Sequence, residues 1–162
     1  MKRLIPRLNL LALTFAALLL ASGSALAAPA PTDPCTLLSQ QDAAALLGAP
    51  VDPGRSMVTT CAFFGAHGDD QKGVSVLLFD SAGTPPNILA SMYNAMLQPQ
   101  PGRTISPFGG LGEKAHMIAD NDQLTLLVQS HGKLVSITAF ASHNPHLKDA
   151  LVQAMRQILQ RV

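Results

Sequence analysis

The chain has no tryptophan, one tyrosine, one glutamate and two cysteines, and only 13% of its 162 residues are charged. Each scarcity removes a class of protein. So little charge beside 48% hydrophobic residues is not the composition of a disordered tail, a coiled coil or a collagen-like rod. The two cysteines are not at Cys-x-x-Cys spacing, which is where a redox pair usually sits. The single glutamate, Glu113, leaves few options for paired carboxylates. No Gly-x-Ser-x-Gly run offers a nucleophile elbow. The basic residues from Arg55 to Arg161 are scattered, whereas a nucleic-acid footprint needs a clustered basic face. DNA and RNA are therefore excluded as expected partners.

What is present begins with a leader pattern. Lys2, Arg3 and Arg7 precede an apolar run from Leu10 to Leu20, and Ala25-Leu26-Ala27 supplies the small-x-small pattern that signal peptidase reads. Residues 1–27 are expected to be a cleaved signal peptide. The apolar run is shorter than the roughly 20 residues a spanning helix needs. The first cysteine, Cys35, follows Thr32-Asp33-Pro34, so no lipid-bearing cysteine stands at the cleavage point. No stable membrane anchor is expected after cleavage, and the expected location is periplasmic or secreted. Removing the three leader cations turns the chain's +1 balance into a mature −2.

Cys35 and Cys61 both lie in the exported part. In an oxidising compartment such a pair is most simply a disulfide, with a redox pair or half of a metal site as the rival readings.

Residues 28–34, Ala-Pro-Ala-Pro-Thr-Asp-Pro, read as a stiff polar lead-in, and 35–162 as one α+β domain. Ser39 with Asp42, then Gly48 with Pro50, bracket a helix over 40–47. Residues 57–64 and 74–79 read as strands joined by a polar turn at 66–70. Thr84 before Pro85 is expected to cap a helix over 85–98. The Pro- and Gly-rich stretch 99–113 reads as irregular loop. Strands are expected at 114–119, 123–130 and 133–140, the last two turning at His131-Gly132, and Asn144-Pro145 starts a final helix. The order α-β-β-α-β-β-β-α predicts an antiparallel sheet of about five strands with helices packed mainly on one face.

Register sharpens this. With Ser130 opposite Lys133, Val128 faces Val135, Leu126 faces Ile137 and Leu124 faces Ala139, all on one side. Leu127, Leu134 and Phe140 fall on the other side, with Leu77 and Phe79 as candidates to join them. These five residues are the expected ligand or partner face, an exposed apolar platform, unless the sheet curls or the 99–113 loop covers it.

The remaining constellations read as structural. Gly110-x-Gly112-x-x-Ala115 resembles a dinucleotide fingerprint in letters, but it follows loop and precedes a strand, the reverse of what that motif requires. Ser130 and His131 are adjacent in a turn, and such neighbours are not expected to aim side chains at each other. Asp120-Asn121-Asp122 reads as a turn former with too few oxygen ligands for calcium. His143, His146 and His67 are the candidates for a metal-handling role; zinc would need three or four converging ligands. No catalytic residue, metal ligand set or cofactor is assigned.

Four segments run in a recognisable order: Pro34-Cys35-Thr36-Leu37-Leu38, Asp42-Ala43-Ala44-Ala45-Leu46-Leu47-Gly48, Thr60-Cys61-Ala62-Phe63, and Gly110-Leu111-Gly112-Glu113-Lys114-Ala115. This order resembles a group of small bacterial cell-envelope proteins of unknown function, many of them actinobacterial lipoproteins. The resemblance implies export, pairing of Cys35 with Cys61 and the α+β fold; this chain departs from it by lacking the lipid-bearing cysteine. It implies no catalytic residues. The expected function is a non-catalytic binding or interaction domain of the envelope, whose partner is a small apolar ligand or an envelope protein. The alternative is a periplasmic metal-handling protein using the surface histidines.

Overall fold

The computed structural model describes residues 32–162. The expected signal peptide and most of the polar lead-in lie outside these residues. Three α-helices, α1 (Gln40–Leu47), α2 (Pro86–Met96) and α3 (Leu147–Leu159), accompany seven strands. The strands are β1 (Arg55–Met57), β2 (Thr60–Gly65), β3 (Asp69–Asp80), β4 (Arg103–Pro107), β5 (Lys114–Asp120), β6 (Gln123–Ser130) and β7 (Lys133–Phe140). They form one sheet in the order β1-β2-β3-β7-β6-β5-β4, every neighbour antiparallel. The α+β class is as expected; the sheet has seven strands where five were predicted.

Both extra strands sit at the sheet edges. The segment read as a strand from Met57 reverses at Val58, whose φ is +36°, so that Arg55–Met57 folds back on Thr60–Ala62. The stretch read as loop contains β4, which pairs with β5 from Arg103↔Asp120 to Pro107↔His116. Proline is tolerated there because an edge strand needs only one row of ladder bonds. A strand of three residues and one ending in proline give almost no periodic signal.

The helices follow their end signals with two shifts. Ser39 Oγ accepts from the Asp42 amide at 3.1 Å while Asp42 Oδ2 accepts from the Ser39 amide at 3.3 Å, and Gly48 ends α1 in the left-handed region at φ +69°. Thr84 does not cap α2. Pro85 occupies that place in an extended conformation, ψ 144°, because a residue before proline is pushed out of the helical region by Pro86. α3 starts at Leu147, after Asn144 Oδ1 has accepted from the His146 amide at 2.8 Å in a local turn.

The β6–β7 hairpin has the expected register, Val128↔Val135, Leu126↔Ile137 and Leu124↔Ala139. His131 and Gly132 turn it with φ of +48° and +72°, the two positive values a type I′ turn requires. On this first face Val74, Val76, Leu126 and Ile137 pack beneath Leu46 and Leu47 of α1 and Leu151, Met155 and Ile158 of α3, all essentially buried. Each such side chain contributes about 1.5–3 kcal/mol of transfer free energy. The disulfide Cys35–Cys61 ties the chain before α1 to β2 with its Cα atoms 4.9 Å apart. Asp33 Oδ1 accepts from the Cys35 amide at 2.9 Å and from Ser56 Oγ at 3.1 Å, and Arg161 Nη1 donates to the Leu37 carbonyl at 2.8 Å.

The helices do not all share a side. α2 lies on the second face, where Leu89 and Tyr93, one turn apart, bury Ile118, Leu127 and Leu134. The first face is already filled by α1 and α3, and α2 belongs to the connection that carries the chain from β3 across to the far edge at β4.

Candidate functional site

Alternation and pairing fix what the second sheet face presents. One row across the sheet runs Met57, Thr60, Leu77, Ser136, Leu127, His116 and Pro107. The next runs Arg55, Ala62, Ser75, Thr138, Thr125, Ile118 and Ile105. Beyond it lie Phe64, Gly73, Phe140, Gln123, Asp120 and Arg103, and on the other side of the first row Phe79 stands opposite Leu134.

This grid divides the expected apolar platform in two. Leu127 and Leu134 are fully buried, and Phe79 packs against the same cluster. The cover is α2, and Ile105, in the stretch read as loop, packs against the same cluster from β4. An open platform at these three residues is therefore corrected: they are the core beneath a helix. Leu77 and Phe140 lie on the half that α2 leaves uncovered and are half-buried.

The uncovered half carries residues the sequence did not single out. Met57 is 55% exposed at the end of its row. The Arg55 guanidinium sits 5.5 Å from the centroid of the Phe64 ring, within cation–π range. Between these apolar groups stand the hydroxyls of Thr60, Ser75, Thr125 and Thr138, the last two hydrogen-bonded to each other at 2.9 Å. Extending the period-2 pattern through β2 would have found Phe64; Met57 and Arg55 depended on seeing the reversal at Val58.

The Phe140 end of this half-face opens into a groove of about 340 Å³ between the start of β3 and the β5–β6 turn. Phe140 forms part of its wall together with Gln71, Asn121, Asp122 and Gln123. The ring lies over Gly73, where any β-carbon would overlap it. Asp120 turns its carboxylate to Arg103, Oδ2 accepting from Nη2 at 3.0 Å and from Nε at 3.2 Å. The Ala141 amide donates to the Asp122 carbonyl at 2.9 Å and joins the two turns that frame the groove.

The catalytic and metal candidates fall into place around this. Ser130 Oγ and His131 Nδ1 are 2.9 Å apart, so these neighbours do aim at each other, contrary to expectation, because the left-handed backbone of His131 folds its ring back. Glu113 Oε1 accepts from the backbone amide of His131 at 2.9 Å and not from its ring, and Ser130 is 7% exposed. A serine nucleophile needs an accessible oxygen and a base oriented by a third group; the carboxylate here braces a turn. His116 faces α2, its Nδ1 2.7 Å from the Tyr93 hydroxyl. His143 and His146 are exposed before α3, and His67 is exposed in the turn after β2. Among the described residues no three of His, Cys, Asp and Glu converge as a metal site would require. Asp69 is held below its usual carboxylate range, chiefly by the hydrogen bond from Lys72 at 2.8 Å.

No protein-family model matches the chain, and no curated protein matches it. Among solved structures it is similar to the solution structure of cyanobacterial PsbP (CyanoP) from Synechocystis sp. PCC 6803. The identity is 11%, over 62% of this chain and 71% of that one, with a TM-score of 0.28. A score that low bears on neither fold nor function.

Proposed function

We propose that the chain is an exported, non-catalytic binding domain of the bacterial cell envelope, and that it binds through the uncovered half of the second sheet face. One observation carries the reading: α2 seals Leu127 and Leu134 but leaves Leu77, Phe64, Phe140 and Met57 at least partly open to solvent. Hydroxyls alternate with these apolar groups, so the matching ligand has an apolar surface rimmed by hydrogen-bonding groups.

Export is supported by the Cys35–Cys61 disulfide, a bond that persists in oxidising compartments, and by the leader pattern of the sequence. No described helix is long and apolar enough to cross a membrane. The non-catalytic reading is supported by the Ser130–His131 pair, beside which the Glu113 carboxylate accepts from the His131 backbone amide and not from its ring.

The test is native mass spectrometry of the full-length gene product recovered from the envelope. A bound mass or a co-released partner is expected on the wild type, lost in Leu77→Lys and kept in Ile88→Ser, a control at an exposed apolar residue on α2. Equal loading of wild type and a folded Leu77→Lys variant would overturn the reading, and so would a wild type that carries nothing.

A further inference from the structure

Resting on that reading of the half-face, we propose that the groove at its Phe140 end is a subsite for a neutral sugar. The ring's apolar C–H face stacks on Phe140, and its hydroxyls are met by Gln71, Asn121, Asp122 and Gln123.

Size sets the first bound. A volume of about 340 Å³ lies at the low end of small-molecule sites, about 300–1,000 Å³, and suits a ring-sized ligand better than a protein segment. Charge sets the second. Asp120 is neutralised by Arg103, which leaves Asp122 as the one carboxylate of the groove without an ion-pair partner among the described residues. A polyanion would be repelled. A hard divalent cation wants six or more oxygen ligands, and no three acidic or imidazole groups converge here.

Donor chemistry then selects among uncharged ligands. The amides of Gln71 and Gln123 each offer both a donor and an acceptor, Asn121 keeps its carbonyl and one N–H beside the bond from its Nδ2 to Asp120 Oδ1 at 3.2 Å, and a free carboxylate accepts strongly from hydroxyls. Vicinal hydroxyls on a pyranose have that same dual character. The opposite side of such a ring is a patch of C–H bonds, for which the electron-rich face of an aromatic ring is the complementary partner. Phe140 provides that surface in a fixed place, because its ring is seated on Gly73. The framing turns are likewise held, Asn121 at φ +48° and Ala141 at φ +50°, with the Ala141–Asp122 bond between them. A backbone frame and an aromatic ring already in place spare a ligand part of the ordering cost.

Saturation-transfer NMR tests this on the folded protein with maltotriose, cellotriose and an N-acetylglucosamine trimer, using polygalacturonate and calcium as charged controls. The expected result is transfer from protein to the ring C–H protons of at least one neutral sugar. Phe140→Ala should weaken binding about tenfold, and Asp122→Ala with Gln123→Ala, both at exposed positions, should weaken it comparably. Ile88→Ser, outside the face, should leave sugar binding unchanged, and loss of the envelope load in Leu77→Lys without any sugar signal on the wild type would sink the sugar subsite and spare the binding face. No transfer to any neutral sugar, transfer indifferent to the Phe140 and Asp122/Gln123 changes, or binding of a charged control at Asp122 instead would each overturn the proposal.

Discussion

The Tyr93 hydroxyl lies 2.7 Å from Nδ1 of His116, and this is the polar tie between α2 and β5 in an otherwise apolar contact. Tyr93 is 3% exposed and burial raises its phenol pKa above the usual 10.0. Tyr93→Phe keeps the ring but leaves the imidazole nitrogen without its partner. The expected cost is about 1 kcal/mol, read in urea unfolding, with faster amide exchange concentrated in Pro86–Met96. An exchange pattern unchanged in α2 would show that apolar contacts alone hold it.

The same tyrosine gives a pH dependence with a definite sign. A folded-state pKa above the unfolded value means that the folded chain holds its proton more tightly. Its contribution is complete below pH 10 and is lost as pH rises through the higher folded value. The difference in melting temperature between wild type and Tyr93→Phe should therefore shrink as pH rises above 10. A difference that grows with alkalinity would contradict the assignment.

Cover and opening on the second face separate by mutation. Leu134 is fully buried under α2, so Leu134→Ala should cost about 2–5 kcal/mol by leaving a cavity. Leu77, half-buried on the uncovered side, should cost about 1 kcal/mol or less on the same change. Similar losses at both positions would mean that the two halves are equally closed.

Leu127 and Leu134 also show what can be read from sequence. Strict alternation through β6 and β7 puts them on the face away from Val128 and Val135, and the observed register, with Val128↔Val135 and Leu126↔Ile137, agrees. Alternation reports which side of a sheet a residue faces. It does not report what comes to rest on that side, because the docking of α2 is a contact between segments far apart in the chain. The edge strands were illegible for a different reason: Arg55–Met57 is too short to show a period, and Pro107 masks the end of β4. The groove at Phe140 joins Gln71, Asp122 and Phe140 from three elements, and only tertiary structure unites them.

The disulfide and its neighbour Gly54 make a coupled prediction. A β-carbon at Gly54 would stand 2.8 Å from both Cys61 Sγ and the Phe63 ring. Gly54→Ala should destabilise the oxidised protein by about 1–3 kcal/mol. Cys35→Ser/Cys61→Ser should cost about 3 kcal/mol by freeing the unfolded chain. The smaller serine oxygen also relieves the crowding, so the triple variant should lose less than the two effects summed. Strict additivity in chemical unfolding would refute direct contact between Gly54 and the bridge.

Val58 stands at the tip of the β1–β2 hairpin, 96% exposed, with φ +36°. A β-branched residue gains nothing from packing at that exposure and is poorly suited to a left-handed backbone, a conformation that costs non-glycine residues about 1–2 kcal/mol. Asparagine tolerates the region because its short amide bonds locally. Val58→Asn should therefore raise stability by about 1 kcal/mol, visible as a melting temperature a few degrees higher, while Val58→Ile should leave it unchanged or lower. The tip lies beyond Met57, at the end of the face remote from Phe140, so sugar binding in the groove should not move. A Val58→Asn protein no more stable than wild type would mean that the turn relaxes around valine and holds no strain.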